Sequence, residues 1–375
     1  MRIVMRSGFM IVGALLVALP TLAQTGSGSL FVPSRPETVV FGVFPIDRAP
    51  VLTVKSGQTV RIDTVSQRGL NQDQSPVDYF GAFGVKRDEV LKDLIDIWEA
   101  RRSRRDAGGG HILTGPIYID GAEPGDTLEV QILDVTQRVP YGVNSTTPSA
   151  GVLRAAYASK PGDPPPPLPE TEQIHVIRTG TVNGRDVALF SDTIHVPMAP
   201  FMGTMAVAPR NPVVGEPGVR VAGLQGSGPP GVYGGNLDFK MLTAGTSLFL
   251  PVFHSGARFY VGDPHGTQGD GEVSGNALEQ SLTGDFRFVV HKGKTITAPR
   301  AETATHYVMM GIDLDLDRAL RLATLEVINF LVTEKHLTAS KALSLASLAV
   351  DFHIAEAVDG TQVVVGKIPK SIFKS

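Results

Sequence analysis

Up to about residue 310 the chain alternates short apolar runs with glycine- and proline-rich breaks. That rhythm predicts strands joined by tight turns rather than helices. Residues 51–63 hold two alternating runs around Ser56 and Gly57, and residues 117–133 hold two more around Glu123-Pro-Gly-Asp126. In the second turn proline presets φ and glycine tolerates the left-handed region, so the chain reverses there. Helical spacing occurs in three places. Over 87–103, Val90, Leu91, Leu94, Ile97 and Trp98 recur at helical intervals. Over 317–333, Leu320, Ala323, Leu325, Ile328 and Leu331 do the same. Thr338 then caps a segment carrying Leu343, Leu345, Leu348 and Val350. A last strand is expected at 362–366. No internal repeat is present, and the segment is read as one compact unit with subdomains.

The first residues stand apart from this pattern. Arg2 and Arg6 precede a nearly continuous apolar run over 9–19, Pro20 breaks it, and Ala23 follows Thr21 and Leu22. This is the pattern of a secretory signal peptide cut after Ala23, and the run is short for a membrane span. A periplasmic or secreted protein is therefore expected, without membrane association after cleavage. Cleavage would take the net charge from −3 to −5, which gives no electrostatic case for a nucleic-acid partner. The chain has no cysteine. Thiol nucleophiles and thiolate metal sites are thus excluded, and any metal must take oxygen and imidazole ligands. Nothing specifies an oligomeric state, and a homo-oligomer stays open.

Candidate chemistry gathers in three glycine-rich stretches. Residues 253–272 hold His254, Asp263, His265, Gln268, Asp270 and Glu272 among five glycines. Asp270 and Glu272 share a face if extended, with His265 five residues upstream. One histidine with two carboxylates suits a zinc or other divalent hydrolytic site with an open position. Residues 228–240 place Asn236 two positions from Asp238, on one face of a strand, with Lys240 continuing that face. Lys240 could neutralise Asp238 or polarise a carbonyl. The third stretch, 111–126, begins with His111. For the first two, a polar loop or turn bonded to its own backbone accounts equally well for the spacing. His254, inside an apolar run, reads as a core histidine. Asp313, Asp315 and Asp317 read as helix capping, because the glycine and later glutamate of a calcium loop are missing. Ser227 between two glycines lacks a base nearby in sequence.

Five segments together resemble the acetamidase/formamidase family: HILTGPIYIDGAEPGD (111–126), MGTMAVAP (202–209), GPPGVYGGNLDFK (228–240), HGTQGDGEVSGNALE (265–279) and IPKSIF (368–373). The resemblance spans nearly all of the chain beyond residue 23. It implies a mainly β fold: a sandwich-like part over roughly 30–200 with an inserted helix at 87–103, a barrel-like part with the site over 201–300, and a smaller α/β part over 301–375. It implies hydrolysis of short linear amides such as formamide or acetamide to carboxylate and ammonia. By analogy the site forms around Asn236, Asp238, His265, Gln268, Asp270 and Glu272, with His111 and Asp120 as further candidates. From their chemistry, Glu272, Asp238 and Lys240 are assigned catalytic roles. Asn236, Gln268 and Tyr233 are assigned substrate binding, and His265, Asp270, Asp238 and His111 a divalent metal, zinc first. Several departures bear on the substrate: Gly266-Thr267 where relatives often carry alanines, no histidine in 41–44 where many relatives have one, the inserted helix, the arginines of 101–105, the proline-rich loop at 160–169 and the export signal. Besides small amides, a larger or cyclic amide remains open, as does a binding protein that kept the fold.

Overall fold

The computed structural model describes residues 30–70, 73–102, 110–154, 160 and 162–374. The expected signal peptide and the last expected helical residue, 103, lie outside them. The fold is mainly β, with a small helical part near the C-terminus. Among the described residues the two largest sheets have nine and six strands. The larger runs, in order, through Leu30–Val32, Thr59–Asp63, Leu282–His291, Thr127–Gln137, Thr246–Pro251, Arg300–Glu302, His306–Asp313, Gln362–Pro369 and Asp351–Glu356. The smaller runs through Gly234–Asn236, Phe201–Ala206, Phe259–His265, Ile112–Asp120 and Val39–Phe41, with Leu52–Lys55 parallel to Ile112–Asp120.

Both sequence-predicted turns connect these two sheets rather than closing hairpins. Leu52–Lys55 lies in the smaller sheet and Thr59–Asp63 in the larger, and the turn at 121–126 makes the same crossing between Ile112–Asp120 and Thr127–Gln137. Each strand's alternating apolar side chains then face the other sheet. Leu128, Val130, Phe286 and Phe288 from the larger sheet share one core with Leu113, Ile117, Phe259 and Val261 from the smaller. The Phe259 ring lies 5.0 Å from Phe288 and 6.2 Å from Phe286. Burying each such side chain contributes about 1.5–3 kcal/mol.

The helices refine the sequence reading. The expected helix over 87–103 is a short turn at Arg87–Glu89 followed by Lys92–Arg101. Val90 and Leu91 are extended between them, and Glu89 accepts from the Lys86 backbone N–H and from Arg178 instead of continuing a helix. A helix at Pro76–Gly81 escaped the periodicity because it is too short to show one. Its start signal is nevertheless present: Ser75 caps it and proline opens it. Leu316–Thr333 is capped by Asp315, the middle residue of the apparent calcium comb. It lies close against strand His306–Asp313, where a side chain on Gly311 would come within 2.1 Å of the Ala319 carbonyl oxygen. Ala339–Ala349 is capped by Thr338 as expected, but Val350 ends it and a strand at Asp351–Glu356 follows.

Candidate active site

The site is built on the central strand Phe201–Ala206 of the smaller sheet. Register places Thr204 opposite Asn236 on one side and Phe201 opposite His265 on the other. Gly203 lies between them. A Cβ there would fall 2.2 Å from Asp238 Oδ1, 2.7 Å from Asp263 Oδ2 and 2.8 Å from His265 Cε1. The absent side chain is the space in which three functional groups converge, which is why glycine is needed at this position. Asp263 and His265 come from one strand face at a spacing of two. Asp238 has left the strand, with φ of 39°, so its carboxylate folds back towards Asn236.

The other members arrive from a distance. Glu279 bridges to both His265 and Val143. Glu272 is reached through a turn at Gly269–Glu272 with Gly271 at φ 89°. Asp359 and Glu356 come from the edge of the larger sheet, where Glu356 pairs with Gly271. The cluster thus sits where the rims of the two sheets meet.

Its hydrogen bonds fix donors and acceptors. Thr204 Oγ1 donates to Asn236 Oδ1 (2.6 Å), which aims the Asn236 amide N–H groups at Asp238 Oδ2 (2.7 Å) and Asp359 Oδ2 (2.8 Å). Gln268 Nε2 donates to the Asp238 carbonyl (2.7 Å), so Gln268 Oε1 faces His265 Nδ1 at 3.0 Å as an acceptor. This places the proton on Nδ1 and turns Nε2 towards the carboxylates. Nε2 lies 3.3 Å from both Asp263 Oδ2 and Glu279 Oε1, in line for a hydrogen bond with neither. Asp238 Oδ1 is likewise buried without a hydrogen-bond partner, as is Glu356 Oε1. Gln67 Nε2 donates to Asp263 and Glu279.

The electrostatics follow from burial and crowding. Burial raises Asp238 well above the ordinary carboxylate range, and Glu272 and Asp263 add to it. Glu272 is raised by burial and by Asp359, and Glu356 by the same two causes. Burial works against a charged His265, yet Asp263 and Glu279 outweigh it and raise its pKa. Asp263 goes the other way: His111 and His265 lower its pKa despite burial. Acidic groups therefore outnumber the basic groups placed to balance them, and burial holds protons on several of them.

Three overlapping sets of groups have ligand atoms within 4.8 Å of one another: Asp238, Asp263 and His265; His265, Glu272 and Glu279; Asp238, Glu272 and Asp359. Carboxylate oxygens with one imidazole nitrogen, two of the atoms unpartnered, form a donor set that fits a divalent cation.

Of the sequence candidates, Asn236, Asp238, His265, Gln268 and Glu272 come together here. His111 borders the cluster, with Nε2 3.9 Å from Asp263 Oδ2 and Nδ1 3.1 Å from Ser227 Oγ, which gives that serine a neighbouring imidazole. Asp270 lies apart, because the turn at 269–272 breaks the extended face it was to share with Glu272. Its carboxylate pairs with Lys240 (3.1 Å) near the surface, so Lys240 neutralises Asp270 rather than Asp238. Tyr233 is buried in the core and donates its hydroxyl to the Pro229 carbonyl. Asp120 is exposed at the far end of the strand that His111 precedes. His254 Nε2 lies 2.8 Å from the Pro209 carbonyl. Sequence reasoning missed Asp263, Glu279, Glu356 and Asp359 as site members. Asp263, two residues before His265, carried a readable signal; the last two had none.

The sequence profile of the Acetamidase/Formamidase family matches residues 99–227 and 220–375. A formamidase from Methylophilus methylotrophus is 30% identical over 199 residues, covering 44% of this chain and 47% of the relative. An acetamidase from Mycolicibacterium smegmatis is 30% identical over 206 residues, covering 44% of this chain and 49% of the relative. These alignments span about half the length of the curated relatives. The crystal structure of an acetamidase from Yersinia enterocolitica superposes with a TM-score of 0.72 at 24% identity, covering 94% of this chain and 96% of that one. With the family profile matched over most of the sequence, this chain belongs to the acetamidase/formamidase family.

Proposed function

We propose that this chain hydrolyses the C–N bond of linear amides to carboxylate and ammonia, using a divalent cation, zinc first. The observation that carries the reading is the buried acid surplus around Gly203, in which Asp238 Oδ1 and His265 Nε2 lack partners, on a chain of this family. Asp238, Asp263 and His265 would hold the cation, with Asn236 and Gln268 orienting them. When bound, it would polarise the amide carbonyl and lower the pKa of a water. Glu272 is buried but lines a cavity beside the cluster. In this reading it takes a proton from the attacking water and delivers it to the leaving nitrogen. The N-terminal pattern supports an exported enzyme.

The purified protein is expected to release ammonia from formamide, acetamide and propionamide. Chelation should stop the release and added zinc restore it. Release that persists after elemental analysis shows the metal gone would remove the cation from the reading, and no release from any amide would remove the amidase. Glu272→Gln should lower kcat by roughly 10²- to 10⁴-fold without unfolding the protein.

A further inference from the structure

The cavity that Glu272 lines has a volume of about 400 Å³. Glu272 and Gln268 are the cluster residues that line it, and Asn144, Thr267, Asp270, Ser274 and Asn276 are its other polar neighbours. Most of its accessible surface is nevertheless apolar. Ile177, Ala188 and Leu278 form a small packed group of their own on the inner wall. Phe190, Val196 and Val273 stand around the mouth, 54%, 36% and 59% exposed. Ala188 and Val196 belong to the paired strands Arg185–Leu189 and His195–Pro197, and Phe190 to the turn between them. This hairpin thus contributes one buried side chain, Ala188, and two partly or largely exposed apolar ones, Phe190 and Val196, to the lining. Such a volume lies at the lower end of what encloses drug-sized ligands. Formamide or acetamide at Glu272 would leave nearly all of this lining in water.

We infer that this pocket selects amides whose acyl side carries an extended apolar group, an alkyl chain of several carbons or an aromatic ring. The inference rests on the amide hydrolase reading above for its reaction and on the cavity for its selectivity. The amide end faces the cluster at Glu272, and the acyl chain lies along Leu278 and Ile177 towards Phe190. Water adds to the carbonyl carbon and the C–N bond breaks. One water proton leaves with the nitrogen as ammonia, the second is taken up by that ammonia to give ammonium, and the acyl chain departs as a carboxylate. Apolar surface buried by the chain, remote from the reacting atoms, supplies binding free energy that short amides lack.

The test measures ammonia release from acetamide, butyramide and hexanamide by the metal-loaded wild type, by Phe190→Ser and by Val196→Ser. Both substitutions are at wet positions, where folding is expected to survive. Calorimetric binding of acetamide and hexanamide is measured on the same proteins. The inference expects kcat/KM to rise about fourfold for each methylene that becomes buried. It also expects Phe190→Ser to lower the hexanamide-to-acetamide ratio about tenfold. Turnover of acetamide with a flat or falling series overturns the selectivity and leaves the amidase intact. If no amide is turned over, the amidase reading falls and binding decides the pocket. Tighter hexanamide binding that Phe190→Ser weakens upholds its apolar ligand, and equal binding overturns it. A change in oligomeric mass in Phe190→Ser with an unchanged ratio makes the hairpin an interface between copies and also overturns the inference.

Discussion

Around Arg138, two carboxylates share one guanidinium: Asp93 at 2.6 Å and Asp63 at 3.2 Å, with Thr283 donating to Asp63 and Arg138 also donating to the Thr64 carbonyl. Around His265, six carboxylates converge with one buried imidazole and the bordering His111, and no lysine or arginine among the described residues pairs with any of the six. The first group is complete as folded, since its charges and hydrogen-bonding atoms meet partners within the chain. The second keeps Asp238 Oδ1 and His265 Nε2 unpartnered. A buried polar group without a partner costs stability. What distinguishes the two acidic groups here is therefore the lack of a basic partner within the chain, not the number of acids.

The largest expected effect is at Asp238. Asp238→Asn should lower amide turnover by at least about a hundredfold if, as proposed, its carboxylate holds the cation. The same change should raise the stability of the cation-free protein by about 1 kcal/mol at alkaline pH, where an aspartate must ionise against burial and its acidic neighbours and an asparagine need not. Chelated wild type and variant, compared by thermal unfolding, would break the comparison if Asp238→Asn were the less stable. Gly203→Ala should lose most activity and also destabilise, since its methyl group would displace Asp238 and Asp263. Arg138→Met reverses the pattern: a loss of about 3 kcal/mol of stability by chemical denaturation, because two part-buried carboxylates lose their cation, with little change in turnover.

Two acid limbs sharpen the contrast further. Asp238, Glu272 and Glu356 have raised pKa values. The folded state therefore binds their protons more tightly than the unfolded one. In cation-free protein their contribution to stability should rise as pH falls from neutral towards their unfolded values, and metal loading should remove that rise. Glu89 does the opposite. Arg178 lowers it to about 2, so its contribution is present above the unfolded carboxylate range and disappears as pH falls towards that value. Glu89→Gln should lose only this acid-limb dependence, a small effect because the pair is partly exposed.

Much of the scaffold was legible in the sequence because its causes are local. Proline and glycine fixed the turn at 123–126, and Thr338 marked a helix start through its own side chain. The split at Val90 was not legible, because Glu89 is held by Arg178, a residue on a distant strand. The candidate site divides in the same way. Asn236 with Asp238, and His265 with Gln268, are near neighbours whose pairing a short motif can encode.

By itself, then, the sequence determined a β-rich chain, the caps of its late helices, the exclusion of thiolate chemistry and the stretches in which the reactive groups lie. Tertiary structure decided which of those groups meet. Asp270, chosen for its spacing, turned outwards to Lys240, while Glu356 and Asp359 entered from nearly a hundred residues away. Strand register across Gly203 and the meeting of two sheet rims set those distances. Propensity and spacing act over a few residues, whereas convergence of buried charge depends on which strands lie side by side.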